Sequence, residues 1–322
     1  MKQRIGYIDI AKGLCILLVM MVHIGIPEPL PNLYNVKVPL FFVLSGFFFR
    51  VPDSMKGLLI KKLRTIIIPF LFFYVVSYII YYVMQLMSPS LGTLTKANGI
   101  LDVFLQKEYF NGPLWFLPCL FWVYIINTLV FKCFQNSFLR ASIIMMLGSL
   151  GYLLSKVHIN LPLAMDTALT AIPFFSVGYL LNKIELFSYF KSKYVASILC
   201  IVTYLLVLIC PNFKVSMSIN RYDGNMAELY IACTLLTISI VELSKVVGGV
   251  RQLTYIGENT LLILCTHHLI YRPIKMIVVR FVNVSVEPYV TFVITIVVCL
   301  ALVPIFDRWL PWAVGKQTRK QN

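Results

Sequence analysis

Long stretches of this chain are apolar on every side and carry no charge. Four runs contain no Lys, Arg, Asp or Glu: 65–95, 113–131, 194–213 and 288–306. Each is long enough to cross the hydrocarbon core of a bilayer as a helix, which takes about 20 residues. None alternates apolar and polar residues as the strands of a membrane barrel do. The pattern therefore predicts membrane-spanning helices, whose backbone groups are satisfied within each segment.

Followed along the whole chain, the same pattern predicts an all-α integral membrane protein with about ten transmembrane helices in one bundle. The predicted helices are about 8–27, 36–50, 66–88, 113–132, 139–156, 163–182, 192–210, 226–245, 257–279 and 288–312. The second is short, since only 38–49 is free of charge, so it could tilt, re-enter the membrane, or start earlier with the Lys37 side chain extending to the interface. We predict one transmembrane domain over 1–322, with a short cytoplasmic tail from about 313 to 322.

Composition supports lipid as the surrounding solvent. Hydrophobic residues make up 59% of the chain and charged residues 13%, whereas a soluble domain has about 25% charged residues. The eight cysteines lie scattered in apolar segments without the spacing of a metal site, and we predict no metal. This much apolar surface cannot be buried in one globular core.

The net charge of +15 has a simple explanation in a membrane protein. Lys and Arg concentrate in cytoplasmic loops, and most of them fall on one side when both chain ends are placed in the cytoplasm. This predicts a membrane protein with both termini in the cytoplasm, and no nucleic acid partner. Arg272, Lys275 and Arg280 are exceptions that fall outside, where they either face a polar cavity or indicate a different local topology.

The N-terminus also resembles a secretory signal peptide, with Lys2 and Arg4 before an apolar stretch at 13–26. Asp9 and Lys12 interrupt the apolar part, and no small-residue cleavage site follows it. We therefore predict a first helix that is retained.

Three ionisable residues in this first helix share one face. At 100° per residue, Lys12 and His23 lie about 20° apart on the helical wheel and roughly 16 Å apart along the axis. Asp9 lies about 40° from His23 on the same wheel. Ionisable groups in a membrane helix usually face the interior or a water-filled cavity. The alternative is that Asp9 and Lys12 form an interfacial pair and that His23 lies near the outer headgroups.

This spacing suits a ligand with phosphates at one end and a reactive group at the end of a long arm. A lysine near the cytoplasm can bind phosphate, and a histidine about three turns deeper can act as a general base on a hydroxyl. Acyl-coenzyme A has that shape. A second basic cluster, Lys56, Lys61, Lys62 and Arg64, is either a phosphate clamp at the cytoplasmic mouth or a stop-transfer signal.

Four further residues are candidates for a substrate cavity. Trp115 is an interface anchor or a substrate contact, and Ser45 permits close helix packing or takes part in the site. Asn259 and His267 are eight residues apart, roughly 80° on one continuous helix, so they could line one cavity.

The chain resembles the acyltransferase family 3 membrane proteins, particularly the fucose 4-O-acetylase-like group. The resemblance spans nearly the whole chain and depends on six motifs in order. They are Tyr7–Gly13 with His23, Pro39–Phe47, Lys61–Arg64, Gly112–Leu117, Ile172–Tyr179 and Gly257–Leu261 with His267.

The resemblance implies that His23 is the essential catalytic residue, that Lys12 belongs to the donor site, and that Lys61 and Arg64 contact coenzyme A phosphates. Many members have Arg where this chain has Lys12, and an Arg-x-x-Arg pair where it has Lys61 and Arg64. Lysine still binds phosphate, as a point charge without the guanidinium fork.

We therefore predict an acyl-CoA-dependent O-acyltransferase that moves an acyl group, acetyl in the first instance, to a sugar hydroxyl. The acceptor is a cell-surface polysaccharide or its lipid-linked precursor, and proteins of polysaccharide biosynthesis are expected partners alongside membrane lipid. Acyl-CoA is a donor substrate and not a tightly bound cofactor. Asp9, which we place with His23 among the catalytic residues, would order Lys12 or the start of the helix. A covalent acyl intermediate stays open.

Two other functions remain as alternatives. A proton-coupled transporter of a polysaccharide precursor or small molecule would also use an intramembrane His and Asp, although no inverted repeat is visible. A non-catalytic membrane subunit or sensor would not depend on Lys12 or His23.

Overall fold

The computed structural model describes residues 5–87, 111–189, 192–210 and 213–316, and helices dominate it. The helices are α1 (Gly6–Ile24), α2 (Pro39–Phe47), α3 (Met55–Lys62), α4 (Ile68–Met87), α5 (Phe116–Cys133), α6 (Ser137–Lys156), α7 (Met165–Lys183), α8 (Leu186–Tyr189), α9 (Lys193–Val207), α10 (Met226–Val247), α11 (Arg251–Glu258), α12 (Thr260–Val278) and α13 (Glu287–Trp309). Two short antiparallel strands, β1 (Val215–Ser216) and β2 (Arg221–Tyr222), pair Val215 with Tyr222. The all-α prediction is confirmed.

Among the described helices, eight are long and apolar enough to cross a membrane. Each of the ten predicted segments contains a helix, and most ends agree within a few residues. The second, α2, has nine residues, and α9 is also shorter than a full span. The chain is a multi-pass membrane protein.

The third predicted helix begins earlier than expected. Ser54 caps the N-terminus of α3, its side chain accepting a hydrogen bond from the Gly57 N–H. A π-helical turn, Leu63–Ile67, then connects α3 to α4 without a break. Lys61, Lys62 and Arg64 fell between two predicted helices. Because the backbone stays helical from α3 to α4, they lie on a helical segment.

The ninth predicted helix, 257–279, is two helices. Asn259 is the C-cap of α11 with φ −112° and ψ 20°, and α12 begins at Thr260. The calculation that placed Asn259 and His267 on one continuous wheel is therefore wrong, because the helix is interrupted between them.

The chain divides into two compact units. The first unit contains 1–51, 126–158 and 167–260, and the second contains 52–125, 159–166 and 261–322. The single-domain prediction stays a prediction. Of the predicted tail, Ala313 and Val314 are buried, while 317–322 lies outside the described residues.

Glycines bring helix backbones into contact in the first unit. A methyl group on Gly257 of α11 would collide with the backbone of Asp9 in α1, and one on Gly13 would collide with the Leu253 carbonyl. In the same way α2 and α7 approach at Gly46 and Gly178. Small residues permit such close packing where lipid supplies no hydrophobic drive between helices.

In the second unit, a buried amide connects three segments. The side chain of Asn111 donates to the Cys265 carbonyl oxygen of α12 at 2.6 Å and to the Ser77 hydroxyl of α4 at 3.3 Å. Phe73 of α4 and Phe306 of α13 stack with ring centroids 5.6 Å apart. The segment before α5 is thereby fixed against α4 and α12.

Candidate functional site

The polar face of α1 carries an ion pair in its first turns. Lys12 Nζ lies 3.0 Å from Asp9 Oδ1, and the two side chains are 27% and 11% exposed. The ammonium also lies over the Phe48 ring, 5.4 Å from its centroid. The interfacial interpretation of this face predicted the pair, and the pair also agrees with Asp9 ordering Lys12 in the functional interpretation. It holds the Lys12 cation in a defined position.

Packing between α1 and α11 fixes the backbone beneath this pair. Gly257 contacts the Asp9 backbone, and Gly13, the residue after Lys12, contacts Leu253. A larger residue at either glycine would push α11 away from α1. Both glycines lie within the motifs quoted above, but the sequence did not show that these motifs meet.

His23 lies in the last turn of α1 and is exposed. The helix is continuous from Gly6 to Ile24 and ends where Gly25 takes a left-handed conformation with φ 92°. Asp9, Lys12 and His23 therefore occupy the single helix on which their shared face was calculated. An exposed imidazole at a helix end can be reached by a substrate.

The basic cluster separates into two kinds of lysine. Lys61 and Arg64 are exposed, while Lys62 lies over the Tyr124 ring at 3.0 Å from its centroid. The π-helical turn that contains Arg64 is a distortion often found at functional sites. Lys61 and Arg64 can meet an anionic ligand directly, whereas Lys62 would first have to leave its aromatic partner.

The remaining candidates are mostly buried. Trp115 is 6% exposed and His267 is 0% exposed, with His267 Nδ1 lying 2.7 Å from the Ile263 carbonyl oxygen. Asn259 donates to the Tyr255 carbonyl oxygen, and Ser45 is half-buried beside Gly46. Ser45 and Asn259 belong to the first unit, and Trp115 and His267 belong to the second.

Sequence reasoning missed a second ion pair in the first unit. Lys245 Nζ of α10 lies 2.6 Å from Glu242 Oε1, and Glu242 is 1% exposed. The Lys245 cation also lies 5.4 Å from the centroids of the Tyr7 and Phe187 rings. Residues three apart are neighbours on a helix, so the spacing was a signal that could have been used.

Two of the three cations that the predicted topology placed outside have partners in the second unit. Arg272 donates to the Tyr81 hydroxyl at 2.9 Å, and Lys275 lies 3.6 Å from Glu287. Such pairs allow cations at the end of a membrane helix. Among the described residues, no group of three or more His, Cys, Asp or Glu side chains could hold a metal ion.

Comparison with models of protein families identifies a related family. A family model described as an acyltransferase domain matches residues 5–306. No significant match is found among curated proteins or solved structures. The match contains every candidate site residue described above.

Proposed function

Because the chain belongs to the acyltransferase family 3 membrane proteins, and is thus a membrane acyltransferase, we propose that it transfers an acyl group from acyl-CoA to a sugar hydroxyl. The donor is an acyl-CoA, acetyl-CoA in the first instance. The acceptor is a cell-surface polysaccharide or its lipid-linked precursor. The proposed location is the bacterial plasma membrane, with both termini in the cytoplasm.

One observation carries this proposal within the family. A single continuous helix holds a fixed cation, Lys12, near its start and an exposed imidazole, His23, at its end. Eleven residues separate them, which is roughly 16 Å along the axis. A phosphate-bearing donor with an extended arm matches that separation, and a transporter or sensor would not need it.

The chemistry follows from the roles of these groups. His23 takes the proton from the acceptor hydroxyl as its oxygen attacks the thioester carbonyl carbon. A C–O bond forms, the C–S bond breaks, and the thiolate leaves with a proton returned from the imidazolium. Asp9 keeps Lys12 oriented toward phosphate, and Lys61 and Arg64 supply further positive charge at the donor end.

The experiment compares cells that carry the wild-type chain, His23→Ala or no copy. Ester-linked acyl groups on surface polysaccharide are measured by mass spectrometry, with protein level in the membrane checked by immunoblot. We expect acylation with the wild type alone. His158→Asn, a change at an exposed histidine outside the site, should acylate normally.

A second assay tests the donor directly. Purified wild-type protein in lipid vesicles should release free coenzyme A from acetyl-CoA in the presence of acceptor, and His23→Ala should not. In the cell experiment, equal amounts of ester-linked acyl groups on the polysaccharide of wild-type and null cells would reject the acceptor class. Normal turnover by His23→Ala would reject the mechanism. Acylation of the acceptor without release of coenzyme A would reject acyl-CoA as the donor.

A further inference from the structure

A cleft of about 400 Å³ opens in the first unit between the start of α1 and the short helix α11. It is separate from the polar face of α1, because Ile10, in its wall, lies about 200° around the helix from Lys12. The cleft is lined by Gly6, Tyr7, Ile10, Gly248, Gly249, Arg251, Thr254, Tyr255 and Glu258.

One wall is a complete face of α11. Arg251, Thr254, Tyr255 and Glu258 have the spacing of residues that follow one another along a single side of a helix. Arg251 and Glu258 are seven residues apart, so their backbones are separated by about 10 Å. The cleft therefore has a cationic end and an acidic end, with Tyr255 between them.

The other wall leaves space unfilled. A methyl group added to Gly6 or to Gly249 would meet no atom within 4 Å. Tyr7 contributes an aromatic ring, whose centroid lies 5.4 Å from the Lys245 ammonium nitrogen. Tyr255 is 41% exposed, so a second ring is accessible from the opening.

We propose that this cleft binds a phosphate ester, with the Arg251 guanidinium on the phosphate and the Glu258 carboxylate on a hydroxyl or amino group. Arginine matches phosphate geometry with two parallel hydrogen bonds, and no hydrogen bond or ion pair joins the Arg251 side chain to another described residue. The acidic end disfavours a ligand that is anionic throughout. The two tyrosine rings cover the part between the ends.

Two ligands in reach of this surface carry that chemistry. One is the 3′-phosphoadenosine end of coenzyme A, whose ribose and base donate hydrogen bonds; this source rests on the proposed function, in which Lys12, Lys61 and Arg64 bind the other phosphates of the donor. The other is the headgroup of a phospholipid such as phosphatidylethanolamine, which joins a phosphate to an ammonium group. The shared chemistry is a phosphate with a hydrogen-bond donor at a distance.

The test measures binding of both probes to the full-length protein. Adenosine 3′,5′-bisphosphate is titrated calorimetrically into purified protein, and phosphatidylethanolamine is counted by native mass spectrometry after release from vesicles containing equal parts of it and phosphatidylcholine. Arg251→Gln should weaken binding of one probe roughly tenfold, as expected for loss of a charge-assisted hydrogen bond. Gly6→Leu, whose side chain enters the open space, should weaken it at least as much.

The controls separate site effects from folding. Arg280→Gln removes an exposed arginine from the second unit and should bind both probes as the wild type does. Thermal melting should be unchanged in Arg251→Gln, because that side chain is exposed. If the variants lose affinity for the nucleotide alone, the ligand of the cleft is coenzyme A. If they lose affinity for the lipid alone, the ligand is a phospholipid headgroup.

The proposal is overturned if Arg251→Gln and Gly6→Leu bind both probes with wild-type affinity, or if the wild type binds neither. Acetyl-CoA turnover is measured on the same preparations. If the wild type turns over acetyl-CoA while Arg251→Gln and Gly6→Leu bind both probes normally, the cleft proposal is rejected and the proposed function stands. If the wild type does not turn over acetyl-CoA while the two variants bind the lipid more weakly, the proposed function is rejected and the cleft proposal stands.

Discussion

Two basic regions were assigned the same task, and they differ in how their cations are held. Lys12 in the first unit is paired with a buried carboxylate at 3.0 Å and lies over an aromatic ring. Lys61 and Arg64 in the second unit are exposed on a helical surface. A cation in a fixed pair offers one position at little entropic cost, whereas an exposed side chain must be ordered by the ligand.

The difference teaches that similar charge does not mean similar sensitivity to mutation. Changes near Lys12 should affect folding and catalysis together, because the cation is built into helix packing. Changes at Lys61 and Arg64 should affect donor affinity alone. Four predictions test this contrast, in order of decreasing expected effect.

The largest effect is expected for Gly257→Ala. The added methyl group would collide with the backbone of Asp9, so α11 must move away from α1 or the protein must fail to fold. We expect loss of activity and a large fall in melting temperature, measured on purified protein. Gly57→Ala is the matched control, because its methyl group meets only the Ser54 side chain at 3.8 Å.

Gly57→Ala should raise the stability by about 0.5–1 kcal/mol, as is typical for this exchange in a helix. Wild-type activity and melting temperature in Gly257→Ala would show that the close approach of α1 and α11 is not required.

Lys12→Ala comes next, because it leaves the Asp9 carboxylate without its cation. Breaking a buried pair costs about 3–5 kcal/mol, and the partial exposure of Lys12 reduces this to roughly 1–3 kcal/mol. Activity should also fall, while Lys12→Arg should keep most of it. Melting temperature and acetyl-CoA turnover measure the two effects.

A double variant, Asp9→Asn with Lys12→Met, separates the effect of Lys12 on stability from its effect on activity. It removes both charges and should recover stability without recovering activity. Recovery of activity in the double variant would mean that Lys12 serves only the ion pair.

Arg64→Ala and Lys61→Ala should have a moderate and purely kinetic effect. Each should raise the KM for acetyl-CoA roughly tenfold at low salt, because a charge-assisted hydrogen bond to phosphate is lost. The difference from the wild type should shrink at high salt. Melting temperature should not change, and an unaltered KM in both variants would remove this cluster from the donor site.

Lys62→Ala should give the smallest effect. In contrast to Arg64→Ala and Lys61→Ala, it should lower the stability and leave the KM unchanged. Its cation lies over Tyr124 within the second unit, so its loss should cost about 1 kcal/mol of stability. The KM for acetyl-CoA should stay near the wild-type value. Lys183→Ala, a change at an exposed lysine at the end of α7, is the control for the general loss of one positive charge. If Lys62→Ala raised the KM more than Lys61→Ala does, Lys62 and not Lys61 would be the lysine that contacts the donor.

Most helices could be predicted because lipid allows few alternatives. A long uncharged run must satisfy its own backbone, so its periodicity and length indicate a spanning helix without knowledge of its neighbours. The shared face of Asp9, Lys12 and His23 followed from helical geometry alone. The break at Asn259 was missed, because apolar and polar residues continue through it without a proline or a change in pattern.

The sequence by itself determined the membrane class, the helices and the chemical types at the candidate site, since these depend on local periodicity and charge. Only the tertiary structure decided which glycines meet which backbones, that Lys62 rests on Tyr124, and that a cleft remains between α1 and α11. These contacts join residues far apart in the chain, and their energies depend on distances of a few ångströms. Local pattern contains no information at that scale.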